Sequence, residues 1–192
     1  MGKFMLGCSG VICVIILLGI MILGPMIGIY NSLKISNNKC LFHSSEISNQ
    51  LDRKAKLIPN LVATVKGYAK HESGIMSNIA EARSKLLNAK TVAEKISAND
   101  GLSSALGRLM MLTENYPNLK ADRNFIALQD QLEGTENRIT VARRDYNLSV
   151  NELNNKIDTF PTSLFVGIAG VSKRQLFETS EEILGNNTKV EF

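Results

Sequence analysis

Apolar side chains recur at alternating intervals of three and four in the later half of the chain. From about Asp122 to Asp158 the steps between apolar or small positions are 3, 4, 3, 4, 3, 4, 3, 4 and 4. This spacing predicts one long helix whose heptad seam packs as in left-handed bundles. Asp122 suits the N-cap, and Phe160-Pro161 supplies a stop. The seam consists of Phe125, Leu128, Leu132, Thr135, Ile139, Ala142, Tyr146, Ser149, Leu153 and Ile157.

Three further helices are predicted between residues 30 and 117. An approach helix from Tyr30 to about Lys56 is the most polar of them. A second helix begins after Pro59, and its stripe advances in steps of 4, 3, 4, 3, 4, 3 and 4. The third ends at Pro117, and residues 88–101 are interpreted as a connection with a helical turn or two. The stripe of the second helix is Leu61, Val65, Tyr68, Glu72, Ile75, Ile79, Ala82 and Leu86.

The sequence offers no sustained β-branched alternation and no hairpin turn after residue 30. Four helices with short connections favour an up-down-up-down arrangement. The predicted fold is therefore all-α: an antiparallel helical bundle of about four long helices behind an N-terminal transmembrane helix. The expected division is a tail and transmembrane helix (1–30), the bundle (31–160), and a C-terminal apolar segment and tail (161–192).

Residues 11–30 form an apolar run of twenty residues without a charge. A helix of that length covers about 30 Å, the hydrocarbon thickness of a bilayer. The run is too long for the core of a cleaved signal peptide, and no small-residue cleavage site follows it. Too few residues precede Cys8 for a lipoprotein signal. The sequence thus predicts a retained, single-pass membrane anchor.

The side of the membrane on which the bundle lies stays open. Lys3 and the amino terminus flank one end of the run, whereas Lys34 and Lys39 flank the other. The positive-inside counts nearly tie, with a slight excess on the side of the bundle.

The segment 160–170, FPTSLFVGIAG, is apolar and rich in glycine. An up-down bundle returns this segment to the membrane end of the molecule. Two interpretations remain: it packs against the end of the bundle, or it contacts lipid or the anchor of a second copy. Residues 186–192 are expected to form a loose tail.

Composition and motifs argue against several classes of function. The net charge of +4 comes from interspersed signs without a basic run, so no nucleic-acid partner is expected. His43 and His71 lack the companion ligands of a metal site, and no phosphate-binding or nucleophile motif occurs. Cys8, Cys13 and Cys40 form no disulfide framework. We therefore assign no catalytic residue, no cofactor and no metal ligand, and expect no enzyme.

Glu72 is the one acidic residue on a predicted apolar stripe, with Arg83 close by. A buried carboxylate is costly unless it is paired. Glu72 is therefore expected either to pair with an arginine or asparagine in a layer that fixes helix register, or to line a polar pocket that binds a small molecule.

Several runs of the chain resemble the LemA family. They are IYNSLK (29–34), LIPNLVATVKGYAKHE (57–72), ALGRLMMLTENYPNLKADRNFIALQDQLEGTENRITVARRDYN (105–147), FP (160–161) and KVEF (189–192). The resemblance implies a bacterial protein with one N-terminal membrane helix and an antiparallel helical bundle. A relative used in magnetosome formation implies membrane-associated assembly, and no catalytic residue is carried over. Family members usually have a tryptophan near the position of His43.

The sequence thus favours a membrane-anchored bundle at the bacterial cell membrane with a scaffolding or protein-interaction role. Its expected partners are the membrane, through residues 11–30, and another protein or a second copy of the chain. The alternative is a ligand-sensing bundle with a small-molecule pocket near Glu72.

Overall fold

The computed structural model describes residues 2–69 and 71–177; the side chains of residues 2–16, 18–20, 22 and 23 lie outside the description. The described chain is helical and contains no strand, which confirms the all-α class. Its elements are α1 (Gly2–Tyr68), α2 (Ser73–Asn88), α3 (Val92–Thr113), α4 (Pro117–Lys120), α5 (Arg123–Asp158), a 3-10 turn (Thr162–Phe165) and α6 (Val166–Ala169).

The helix predicted from Asp122 to Asp158 is confirmed as α5. Asp122 caps it, because its Oδ1 accepts hydrogen bonds from the backbone N–H groups of Asn124 at 2.8 Å and Phe125 at 3.0 Å. The helix ends at Asp158, just before Phe160-Pro161. Nine of the ten predicted seam residues are buried, the exception being the half-buried Leu128.

The predicted helix boundary at Pro59 is wrong, because α1 continues through this residue to Tyr68. A proline inside a helix leaves the carbonyl four residues earlier without its N–H partner. That carbonyl belongs to Ala55, and it accepts a hydrogen bond of 2.9 Å from Nε of Arg83 on α2. Ile58 and Leu61, on either side of the proline, are buried. The tertiary contact and the packing together offset the local cost of Pro59.

The predicted second helix is interrupted by a break, because α1 ends at Tyr68 and α2 begins at Ser73, so its first half belongs to α1 and its second half to α2. Glu72 lies in this break and precedes α2. Gly67, Ser73 and Gly74 lie around the break, and each is a weaker helix former than alanine. The prediction that Glu72 lies on the seam of a continuous helix is therefore wrong, because Glu72 precedes α2.

The prediction of a connection over residues 88–101 is also wrong, because α3 begins at Val92 and includes most of these residues. Thr91 and Glu94 form a capping box. The hydroxyl of Thr91 accepts from the N–H of Glu94 at 3.1 Å, and the carboxylate of Glu94 accepts from the N–H of Thr91 at 3.2 Å. This reciprocal pair satisfies backbone donors that would otherwise be free at the start of the helix.

The described chain divides into two compact units. The first contains residues up to Leu41 together with Leu148–Leu176. In it α1 and α5 run antiparallel: Lys156 Nζ donates to Ser36 Oγ at 2.7 Å, and Lys39 Nζ donates to Glu152 Oε2 at 2.9 Å. The core of this unit consists of Leu33, Ser36, Cys40, Ser149, Val150, Leu153, Ile157, Ala169 and Val171.

The second unit contains Phe42–Asn147 and Phe177. Its contacts fix the helix directions. Along α1 from its N-terminal to its C-terminal end, Lys54 contacts Glu136 and then Tyr68 contacts Asp122. The residue numbers on the α5 side fall as those on α1 rise, so α5 runs antiparallel to α1. Asp52 contacts Lys95 and Lys54 contacts Asn99, so α3 runs parallel to α1. Within this unit α5 therefore runs opposite to both α1 and α3.

Within the part of the chain that the structure describes, no helix has a stretch both long and apolar enough to cross a membrane. In the predicted span, residues 11–30, the side chains of residues 11–16, 18–20, 22 and 23 lie outside the described residues.

Candidate functional site

Lys54 occupies a core position of α1 in the second unit, and only 2% of its surface is exposed. Its ammonium group donates three hydrogen bonds: to Asn99 Oδ1 at 2.8 Å, to Ser103 Oγ at 2.8 Å and to Glu136 Oε2 at 2.6 Å. These four residues, the polar layer, join α1, α3 and α5. An ammonium has three donors, so each donor of Lys54 has an acceptor.

The sequence predicted a polar layer around Glu72, whereas the polar layer observed here is centred on Lys54. Asn99 is 1% exposed, whereas the Glu136 side chain is 44% exposed, so the layer leads from the bundle core to its surface. A buried cation is tolerated where it is paired and its hydrogen bonds are satisfied. The spacing did contain the signal, because Lys54 stands in a run with steps of 4, 3, 4, 3 and 4, formed by Ile47, Leu51, Lys54, Ile58, Leu61 and Val65.

Two tyrosine–carboxylate pairs also lie in the second unit. Tyr68 donates its hydroxyl hydrogen to Asp122 at 2.8 Å, and this hydrogen bond raises the pKa of Tyr68. The pKa of Asp122 is lowered, first by the backbone N–H of Phe125 and then by Tyr68. Tyr116 donates to Glu72 at 3.3 Å, and the pKa of Tyr116 is raised by burial and by the charge of Glu72. Among the described residues, Glu72 thus pairs with a tyrosine and not with the arginine or asparagine expected.

An open groove of about 710 Å³ runs between α2 and α3. Small residues line its walls, among them Ala82, Ala98, Gly101 and Ala105. Charged residues also line it, but Glu81 and Lys85 pair with each other at 2.8 Å, and Glu94 serves the capping box. The groove does not include Glu72, so it is not the small-molecule pocket considered from the sequence.

The two histidines do not come together with other metal ligands. The His43 ring lies edge-on to Phe42 with 5.3 Å between centroids, and the exposed His71 lies in the break before α2. Glu46, three residues from His43, accepts a hydrogen bond from Gln50 at 2.7 Å. Cys40 is a free, buried thiol. Among residues 2–69 and 71–177, no group of three His, Cys, Asp or Glu side chains could hold a metal ion.

Comparison with known proteins gives a family match over most of the chain. The model of the LemA family matches residues 43–192. Protein LemA of Metamycoplasma hominis is 26% identical over 156 residues, which make up 81% of this chain and 71% of that protein.

Two further relatives are magnetosome proteins. Magnetosome protein MamQ 2 of Paramagnetospirillum magneticum is 30% identical over 83 residues, covering 43% of this chain and 30% of that protein. Magnetosome protein MamQ of Magnetospirillum gryphiswaldense is 29% identical over 82 residues, again covering 43% and 30%. The chain therefore matches less than a third of the length of these magnetosome proteins.

Proposed function

The chain belongs to the LemA family, and on that premise we propose that it is a single-pass protein of the bacterial cell membrane whose helical bundle acts as a scaffold for protein contacts. The anchor is residues 11–30 of α1. The partner is another protein or a second copy of this chain.

One observation carries the membrane part of this proposal. In the first unit, Leu17, Met21 and Ile27 of α1 are between 62% and 75% exposed. They lie in a helix segment without a charged residue from Phe4 to Leu33. Apolar side chains in such an uncharged helix are costly in water, whereas a bilayer accepts them and the helix satisfies its own backbone. These side chains therefore support lipid as the surroundings of the segment.

The interaction role draws its support from the second unit and from the relatives. The buried ammonium of the polar layer is bonded within the bundle, and the pairs of Tyr68 and Tyr116 are likewise internal. Such groups specify how helices pack together. The relatives carry the names LemA and magnetosome protein, neither of which denotes a reaction.

Alkaline carbonate extraction of cell membranes tests the anchor. The full chain should remain in the membrane pellet, whereas the double variant L17K/M21K should be released in large part, because each lysine at the centre of a membrane helix costs about 2.5–3.5 kcal/mol. The matched control is M111K, which places a lysine at an exposed apolar position of α3. Release of the unaltered chain by carbonate would refute the anchor.

Photo-cross-linking in cells tests the scaffold separately. A photoreactive amino acid replaces exposed residues of the second unit one at a time, such as Phe42, Met111 and Val141. The proposal predicts an adduct of one defined mass at neighbouring positions, from a partner or from a second copy. Absence of a defined adduct at every exposed position would refute the scaffold while leaving the anchor intact.

A further inference from the structure

The chain between α5 and residue 173 contains no charged residue over positions 159–172, TFPTSLFVGIAGVS. This segment, the apolar cap, forms the 3-10 turn and α6 of the first unit. Ala169 and Val171 are buried, so one side of the cap packs on the helices. Phe160, Leu164 and Ile168 of the same segment are between 66% and 80% exposed.

The contacts within the first unit fix where the apolar cap begins and ends. Lys156, two residues before the end of α5, donates a hydrogen bond to Ser36 of α1, so the C-terminal end of α5 lies beside Ser36. The chain then returns, because the backbone N–H of Arg174 donates to Asn154 Oδ1 and the Arg174 guanidinium donates to Asn37 Oδ1, both at 3.0 Å. The cap is therefore the segment between two contacts with neighbouring residues of α1, those of Lys156 with Ser36 and of Arg174 with Asn37.

These contacts lie close to the end of the uncharged run of α1. Tyr30 is six residues from Ser36, which corresponds to about 9 Å along a helix at 1.5 Å per residue. Tyr30 is half-exposed, and Lys34 Nζ lies 5.7 Å from the centre of its ring. A tyrosine and a lysine at the end of an apolar helix are typical of the boundary between hydrocarbon and water.

Charges bracket the apolar cap on both sides. Lys173 pairs with Asp158 at 2.7 Å, directly after and before the uncharged residues. Arg174 is held by Asn37 and Asn154. This order, with charged groups at the base and exposed apolar side chains beyond them, matches the gradient of polarity at a bilayer surface.

We infer that the apolar cap inserts Phe160, Leu164 and Ile168 into the interfacial region of the bilayer that holds α1. The inference rests on the proposed anchor and adds a second, monotopic lipid contact to it. Burying three exposed apolar side chains in lipid is favourable in proportion to the area removed from water. The contact also orients the first unit on the membrane surface, because an anchor helix alone leaves rotation about its axis free.

The chain contains no tryptophan, so a single introduced indole reports on its own surroundings. Three full-length variants are reconstituted in phosphatidylcholine vesicles, with and without brominated acyl chains. L164W reports on the apolar cap and L17W on the anchor. L148W is the matched control, because Leu148 is 61% exposed and lies on α5 of the same unit, eight residues before Lys156 and thus away from the cap.

The inference predicts that brominated lipid quenches L164W and L17W strongly and that L148W keeps its emission. Emission of L164W should also shift to shorter wavelength in vesicles. If L17W is quenched and L164W behaves like L148W, the lipid contact of the cap is refuted and the anchor stands. If L17W keeps its emission as well, the proposed anchor itself fails.

A second copy of the chain is the competing occupant of the cap. In that case L164W would shift to shorter wavelength without being quenched, and the shift would grow with the ratio of protein to lipid, which overturns the inference. F160W and I168W repeat the measurement at the other two exposed apolar residues of the cap. Circular dichroism of each variant confirms that the helices are retained.

Discussion

Lys54 and Glu136 lie 82 positions apart in the sequence, yet their charged atoms approach to 2.6 Å between α1 and α5. The same ammonium binds Asn99 of α3. One side chain thus connects three helices at a single level of the bundle. A displacement of any of these helices by one turn would move its partner about 5.4 Å and break the layer.

Substitutions in the polar layer should therefore be strongly non-additive. Lys54→Met leaves the buried amide of Asn99 without its donor, and we expect a loss of about 1–3 kcal/mol in the free energy of unfolding. Asn99→Leu leaves the buried ammonium with fewer acceptors and should cost a similar amount. The double variant K54M/N99L should recover much of the loss, because it replaces both fully buried members of the layer together, and apolar replacement of a buried polar pair is often neutral.

Urea unfolding of the detergent-solubilised chain, followed by circular dichroism, measures all three variants. Additive losses in the double variant would show that Lys54 and Asn99 act independently, which would contradict their coupling in the polar layer.

Pro59 and Arg83 should also be coupled. Arg83→Met removes the donor to the Ala55 carbonyl, which Pro59 already deprives of its helical partner. We expect R83M to lower the free energy of unfolding by about 1–3 kcal/mol. In a P59A background the same substitution should cost less, because the restored N–H of residue 59 serves the carbonyl. An equal cost of R83M in both backgrounds would contradict this compensation.

The pH dependence of stability should depend on Glu152 in the first unit. Hydrogen bonds from Lys39 and then from Lys156 lower the pKa of Glu152 below its ordinary value. A carboxyl whose pKa is lower in the folded state adds stability above its unfolded pKa, and this stability is lost as the pH falls through the folded value. Glu152→Gln should therefore flatten the acid limb of a plot of unfolding free energy against pH.

The matched control is Glu133→Gln, an exposed glutamate elsewhere on α5. Its acid limb should follow that of the unaltered chain. If E152Q and E133Q gave the same profile, the ion pairs of Glu152 would not contribute to stability in solution.

Two glycines should respond to alanine in opposite directions. Gly101 lies inside α3, and an added Cβ would meet open space, so Gly101→Ala should stabilise by about 0.5–1 kcal/mol. Gly170 has a φ of 59°, in the left-handed region, where a side chain is unfavourable. Gly170→Ala should therefore destabilise by about 1–2 kcal/mol. Thermal unfolding of both variants checks the opposite signs.

The sequence predicted α5 well because every determinant of that helix is local. Its seam repeats regularly, Asp122 caps it, and Phe160-Pro161 follows its end. The start of α3 is equally local, because Thr91 and Glu94 have the spacing of a capping box, which marks a helix beginning at Val92.

The continuation of α1 through Pro59 had no local signal. It depends on Arg83 reaching Ala55 from another helix, and intrinsic propensity cannot contain a tertiary hydrogen bond. Lys54 is an intermediate case. Its place in the apolar spacing of α1 indicated burial, but its partners became evident only once α3 and α5 were packed beside it.

The proposed anchor places residues 11–30 of α1 in lipid, with the boundary to water near Tyr30. Nitroxide labels placed singly from Leu17 to Leu41, with Cys8, Cys13 and Cys40 replaced, measure this directly in bilayers through their accessibility to oxygen and to a water-soluble nickel complex. We predict high oxygen accessibility at Leu17 and Met21, and a change to nickel accessibility between Ile27 and Ile35. High nickel accessibility at every exposed position from Leu17 onward would contradict the proposed anchor.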